Sequence, residues 1–491
     1  EIMPIVNVKW QKEKYVVEVD TSAPPMVFKA QLFALTQVVP ERQKVVIMGR
    51  TLGDDDWEGI TIKENMTIMM MGSVGEIPKP PTVLEKKQAN RDKQAEEISA
   101  LYPCGLANLG NTCYFNSCVQ MLKEVNELVL KPAEEMRIRE HNDRLCHNLA
   151  TLFNSLRDKD RALRSKGEPI KPFAAILTLS DSFPQFEKFK QQDANECLVS
   201  IMSNVTRIYG LSGWNIESLF RIQTETTMKC LESDEVSEKK VERNNQLTCY
   251  VNQDVRFLQT GIKAGFEEEM TRNSEELNRD AKWQKNTQIS RLPKYLTVNI
   301  NRFFYKESTK TNAKILKSVQ FPMQLDTYDL CSQELKDKLV ARRADIKLEE
   351  DAKLERELRK KVLDKEQGDK IFDDGVALPT AFEDDAGSNN SGFYDLKGII
   401  THKGRSSQDG HYVAWMRSSE DGKWRLFDDE HVTVVDEEAI LKTSGGGDWH
   451  SAYVLLYEAR VIKQFPELPP APVPTEVAAD TAEPMEVSEK Q

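Results

Sequence analysis

Along residues 3–73 the apolar positions change period in a fixed order. Val6, Val8 and Trp10 alternate with polar residues, and Tyr15, Val17 and Val19 follow after a short turn, so this stretch predicts a hairpin. Pro24-Pro25 then introduces Val27, Phe28, Ala30, Leu32 and Leu35 at helical spacing. Residues 43–49 and 66–71 predict two further strands. The last of these carries Met69, Met70 and Met71, whose side chains must alternate between core and surface. Farther on, Cys118, Val119, Leu122, Val125 and Leu128 recur at helical spacing, as do Cys197, Leu198, Ile201, Met202 and Val205. Leu296, Val298 and Ile300 alternate with Thr297, Asn299 and Asn301, which predicts a half-buried strand.

Pattern also marks the boundaries. Residues 74–99 hold Pro78, Pro80 and Pro81 followed by charged residues and read as a linker. A main body is expected over 100–458. Within it, 332–384 is a charged insertion, with Leu354, Leu358 and Val362 spaced every fourth residue among both charge signs. That spacing predicts a solvated helix. Residues 459–491 are acidic and Pro-rich and are expected to be a disordered tail.

Composition narrows the class. The 491 residues carry a net charge of −12, which argues against a nucleic-acid binder, since that would need a basic footprint. No apolar run reaches the length of a membrane span. Eight cysteines are scattered without paired spacing. The expectation is a soluble protein of a reducing compartment, cytoplasmic and open to the nucleus as well, and a monomer when free.

The chemistry concentrates at three points. Gly105 to Thr112 is a Gly/Asn-rich loop ending at Cys113, where a helical pattern begins. A thiol attacks only as thiolate, and the N–H groups of a helix N-terminus favour that charge. His411 opens a strand-like run, and Trp424–Asp429 is a strand ending in Asp428-Asp429. Cysteine, histidine and aspartate are the three roles of a thiol protease. His411 would take the thiol proton, Asp428 would orient the imidazole, and Asn108 with the N–H groups around Cys113 would form an oxyanion hole. Asp429 shares or replaces the role of Asp428 on this reading. Each residue also has an ordinary alternative: a buried thiol, a core histidine, a turn carboxylate.

These residues resemble the ubiquitin-specific proteases, the papain-like deubiquitinases. The first match is Gly105-Leu106-Ala107-Asn108-Leu109-Gly110-Asn111-Thr112-Cys113-Tyr114-Phe115-Asn116. Others are Gln191-Gln192-Asp193-Ala194-Asn195-Glu196, Leu292 to Leu296 leading to Arg302-Phe303, Gly410-His411-Tyr412-Val413, Trp424 to Asp429, and Ser451 to Tyr457. The resemblance implies an α+β chain with a papain-like catalytic domain of fingers, palm and thumb. Cys113, His411, Asp428 and Asn108 would be its catalytic residues, acting on the isopeptide bond after ubiquitin's terminal glycine. It also implies that Gln192, Asp193 and Glu196 meet ubiquitin's basic tail and that Tyr412 walls the glycine slot. Asp193 reads equally as a helix cap and Tyr412 equally as a core residue. Many members carry two Cys-x-x-Cys zinc pairs in the fingers. Here Cys230 and Cys249 lack such partners, so no metal and no cofactor is expected, with the fingers placed around Ile216–Phe257.

The ββαββ order of 3–73 resembles ubiquitin itself, as a β-grasp domain without a free Gly-Gly end. Together the two parts resemble the proteasome-associated members of the family. The implied partners are ubiquitin, its conjugates and, through residues 3–73, the 26S proteasome regulatory particle.

Overall fold

A computed structural model describes residues 3–72, 104–129, 143–158, 168–306, 311–360, 375–406 and 409–468, single positions within them excepted. The linker expected at 74–99 lies outside the described residues. The chain divides into two compact units, Glu1–Ala95 and Glu96–Gln491.

The first unit is a five-stranded sheet with one long helix. Its strands run, side by side, Glu13–Glu18, Ile5–Trp10, Thr67–Met71, Lys44–Ile47 and Arg50–Thr51, the second and third parallel. Helix Pro25–Thr36 starts on a proline, whose fixed φ and missing N–H suit a first helical position. Phe28 and Leu32 from the helix meet Val6, Val8, Val45, Ile47, Ile68 and Met70 from the sheet in one core. The strand alternation sends Met69 and Met71 outward. Met48 and Gly49 both have positive φ (50° and 82°), as a two-residue hairpin turn requires.

In the second unit, helices Cys113–Lys123, Asp143–Arg157, Phe173–Ser182 and Ala194–Leu211 share a core. They pack on a sheet whose main path is His431–Val435, Trp424–Asp428, Asp409–Arg417, Phe393–Ser406, Ser451–Ala459, Tyr295–Asn301 and Leu247–Tyr250. Helix Cys113–Lys123 lies against strand Asp409–Arg417, which brings distant parts of the chain to one place.

Three expectations need correction. In the region expected to hold the fingers, a separate antiparallel sheet continues past Phe257: it runs Lys240–Asn244, Ile222–Cys230, Arg279–Arg291 and Glu267–Ser274. The last two strands are mostly polar in sequence, and Glu267–Ser274 is mostly exposed, so they carry little hydrophobic signal. The charged insertion is helix Gln333–Lys360, and it is not simply solvated. Leu335, Leu339 and Ile346 are buried, whereas Leu354 and Leu358 are 58% and 56% exposed. Val362 lies outside the described residues. Finally, the chain stays ordered through the first part of the expected tail. Lys463–Gln464 pairs with Val376–Ala377, and Ile462 is buried. Buried Glu349 accepts from Arg460 (3.0 Å) and from the Lys463 backbone N–H (3.0 Å), while Arg356 donates to the Pro466 carbonyl (2.6 Å). Residues 469–491 lie outside the described residues.

Candidate active site

The loop before Cys113 is built by its small residues. Gly105 passes so close to the neighbouring chain that a Cβ there would lie 2.3 Å from the Glu430 carbonyl oxygen. Leu106 N–H donates to the Asp429 carbonyl (2.8 Å), and Ala107 N–H to that of Ile170 (2.8 Å). The Asn108 Oδ1 accepts from the N–H groups of Gly110 (2.9 Å) and Thr112 (3.2 Å). Gly110 and Asn111, with φ of 98° and 55°, complete the reversal that starts the helix at Cys113. Cys113 is 3% exposed and stands in the first turn of its helix, where the N–H groups lack intrahelical partners.

His411 stands on strand Asp409–Arg417 against that helix. Its Nε2 lies 2.5 Å from Asp428 Oδ1, leaving the other ring nitrogen for the thiol. The imidazole pKa is raised to about 9. Its hydrogen bond with Cys113 is the largest cause and the Asp428 bond also contributes, both opposing burial. This favours an imidazolium beside Cys113.

The two adjacent carboxylates separate by position. Asp429 Oδ2 is 3.9 Å from His411 Nε2. Its oxygens instead accept from Asn108 Nδ2 and Asn116 Nδ2, each at 2.8 Å. Asp429 has φ of 49°, a left-handed conformation that turns it away from the direction of Asp428. Asp428 therefore contacts the imidazole, and Asp429 ties the strand end to the loop and helix of Cys113. The ligand-capable atoms of His411, Asp428 and Asp429 lie within 4.8 Å of one another, but these hydrogen bonds engage all three residues. Cys230 and Cys249 are buried and belong to different sheets.

Asp193 is the cap of helix Ala194–Leu211. Its Oδ1 accepts from the N–H groups of Asn195 (2.8 Å) and Glu196 (3.0 Å), and its Oδ2 from the Tyr453 hydroxyl (2.7 Å). Glu196, on the same turn, is exposed and Gln192 is half-buried. Tyr412 is 2% exposed, its ring 4.6 Å from that of His402 and 6.0 Å from that of Tyr453. Strand alternation points it away from the His411 side, so in this structure it is core and not an open wall. His402 is fully buried, and burial is the main cause of its pKa falling to about 3. A neutral imidazole packed between Phe303 and Tyr412 fits its structural reading.

Sequence reasoning missed Asn116, Gln191 and Tyr453. Asn116 shares its helix with Ser117, Gln120 and Lys123, so polarity alone does not single it out. Gln191 donates to the Gly410 carbonyl (2.8 Å), a contact 219 residues away in sequence that no local pattern announces.

Over residues 104–457 the chain matches the family described as ubiquitin carboxyl-terminal hydrolase. It is 37% identical to ubiquitin carboxyl-terminal hydrolase 6 of Arabidopsis thaliana, over 94% of this chain and 100% of that protein. It is 34% identical to ubiquitin carboxyl-terminal hydrolase 6 of Schizosaccharomyces pombe, over 93% and 99% respectively. Its fold is similar to a chain of the SAGA Ubp8/Sgf11/Sus1/Sgf73 DUB module bound to ubiquitin aldehyde, with TM-score 0.51 and 17% identity, covering 80% of this chain and 78% of that one. The chain belongs to the ubiquitin carboxyl-terminal hydrolase family and is a ubiquitin-specific cysteine protease.

Proposed function

We propose that this protease trims ubiquitin from conjugates held at the 26S proteasome, with Cys113 as nucleophile, His411 as acid and base, Asp428 as orienting group and Asn108 as oxyanion donor. The observation that supports the catalytic assignment is His411 Nε2 lying 2.5 Å from Asp428 Oδ1, on a strand packed against the helix that begins at Cys113.

The Cys113 thiolate attacks the carbonyl of ubiquitin's terminal glycine, where it joins a lysine amine. Negative charge moves to the carbonyl oxygen, beside the Asn108 amide and the helix N–H groups. His411 gives its proton to the leaving amine as the C–N bond breaks, and a thioester forms. A water then gives one proton to His411 as its oxygen attacks the thioester; the C–S bond breaks, the Cys113 thiolate leaves beside the His411 imidazolium, and ubiquitin's new carboxyl group releases its proton to solvent. Exposed Glu196 is suited to pair with the basic tail of ubiquitin. Asp193 serves first as the cap that holds this turn in place.

The first unit supports the proteasome reading. Met69 stands outside the sheet beside Val46 and Lys9, Met71 beside Lys44, and Met48 is 79% exposed at the adjoining turn. An apolar strip flanked by lysines suits docking on a larger acidic partner. The relatives in Arabidopsis thaliana and Schizosaccharomyces pombe match over nearly the whole chain, first unit included. Activity in the cytoplasm and nucleus follows from that partner.

The test compares release of ubiquitin from a conjugate with release of other ubiquitin-like modifiers from matched fusions, with and without proteasomes. Selective cleavage of ubiquitin that rises with proteasomes is expected. Equal cleavage of another modifier, or no response to proteasomes, would remove the corresponding half of the proposal.

A further inference from the structure

The strand carrying His411 begins irregularly. Lys403 pairs with His411, but the next pair is Ser406 with Asp409, so the ladder slips between them and Gly410 falls at the slip. Bulges of this kind bend a strand and re-aim side chains next to active sites. Here the bulge is on the facing strand, where Gly404 and Arg405 stand opposite the single residue Gly410 that precedes His411.

Two contacts hold it. On one side Gly410 lies against His402: a Cβ at Gly410 would stand 2.3 Å from His402 Nε2 and 2.4 Å from the Lys403 carbonyl oxygen. Its φ of 151° falls in the region that glycine tolerates. His402 is fully buried and packed between aromatic rings, so that floor is rigid. On the other side Gln191 Nε2 donates to the Gly410 carbonyl at 2.8 Å. Gln191 is itself anchored, because two residues later Asp193 caps a helix and accepts from the Tyr453 hydroxyl. The amide is thus presented from a fixed turn.

We infer that Gln191 is a positioning residue for His411, its amide holding the Gly410–His411 peptide opposite the bulge of the facing strand. The inference rests on the reading of His411 as acid and base. Gln191 does not meet the reacting atoms; it sets where the imidazole stands relative to the Cys113 sulfur. The titratable groups around His411 are Cys113, Asp428, Asp429, His402, His450 and Lys403. A change in the imidazole's position alters its bond with Cys113 most directly.

The test uses the full chain carrying Gln191→Glu, which keeps the size of the side chain and replaces the donor with an acceptor, together with Gln191→Ala. The expected result is a fall in kcat of about tenfold or more with KM changed by less than about twofold, since small misplacements of a catalytic group are amplified in rate. In Gln191→Ala, which adds no charge beside the imidazole, alkylation of Cys113 by iodoacetamide, read without substrate, slows at neutral pH, and the alkaline limb of turnover moves to lower pH. A residue that only stabilised the fold would lower the melting temperature and leave the alkylation pH profile in place. Unchanged kcat and alkylation in a folded Gln191→Glu protein would overturn the inference, and so would a rise in KM alone. The His411→Ala variant separates the two levels. Turnover surviving in His411→Ala defeats the reading of His411, whereas an inactive His411→Ala beside a normal Gln191→Glu defeats only the positioning role.

Discussion

At the scale of single residues, the site is a division of labour between neighbours. Asp428 and Asp429 are adjacent in sequence, yet one contacts His411 at 2.5 Å and the other is held by two asparagine amides. The raised pKa of His411 sets a pH dependence. The imidazolium persists until the pH passes about 9, so turnover should fall as pH rises through that value, when the proton for the leaving amine is lost. Asp428→Asn removes one of the raising partners. Its alkaline limb should move to lower pH and kcat should drop by about 10²-fold or more; a pH–rate profile unchanged from the parent would contradict this. What could be read from sequence at this scale was a set of candidate types: a cysteine at a helix start, a histidine at a strand start, a carboxylate at a strand end. The split between the two aspartates was not legible, because it depends on the left-handed φ of Asp429 and on Asn116 reaching it across 313 residues.

At the scale of elements, local periodicity proved readable and packing register did not. Ile68 and Met70 are buried while Met69 and Met71 are exposed, as alternation requires. In the charged helix, the evenly spaced Leu354 and Leu358 suggested a repeating face. The buried face instead runs through Leu335, Leu339, Ile346, Glu349 and Arg356. Glu349 and Arg356 are buried because partners from residues 460–466 meet them there, which helical spacing cannot encode. Leu339→Ala should therefore cost about 2–5 kcal/mol of stability, and Leu354→Ala within about 0.5 kcal/mol. Urea unfolding of the two variants checks the contrast, and equal losses would refute the assigned face. On helix Ala194–Leu211, Asp193→Ala removes the cap and leaves the Tyr453 hydroxyl without its acceptor. A loss of about 1–3 kcal/mol is expected in the same assay. Glu196→Lys, exposed on that turn, should raise KM for ubiquitin substrates and leave stability unchanged, as steady-state kinetics would show.

At the scale of the whole molecule, the chain joins a small apolar-faced sheet domain to a protease whose reacting groups come from opposite ends of a long sequence. The separation explains why local pattern names candidate reacting residues but not the contacts that support them. Each catalytic type announces itself locally, whereas Gln191, Asn116 and Tyr453 act only after the chain has folded. If the first unit is a docking module, Met48→Glu with Met69→Glu should abolish association with proteasomes. Turnover of a ubiquitin fusion by the isolated protein should stay within about twofold, because these side chains face outward from their own domain's core. Retained association in a pull-down with purified proteasomes would contradict that role. The most direct measurement of the central claim is reaction of the intact protein with ubiquitin bearing a C-terminal electrophile, followed by peptide mapping of the adduct. The account predicts a single covalent link at Cys113 that is lost in Cys113→Ala and slowed in His411→Ala. An adduct at another cysteine, or none at all from the folded protein, would contradict it.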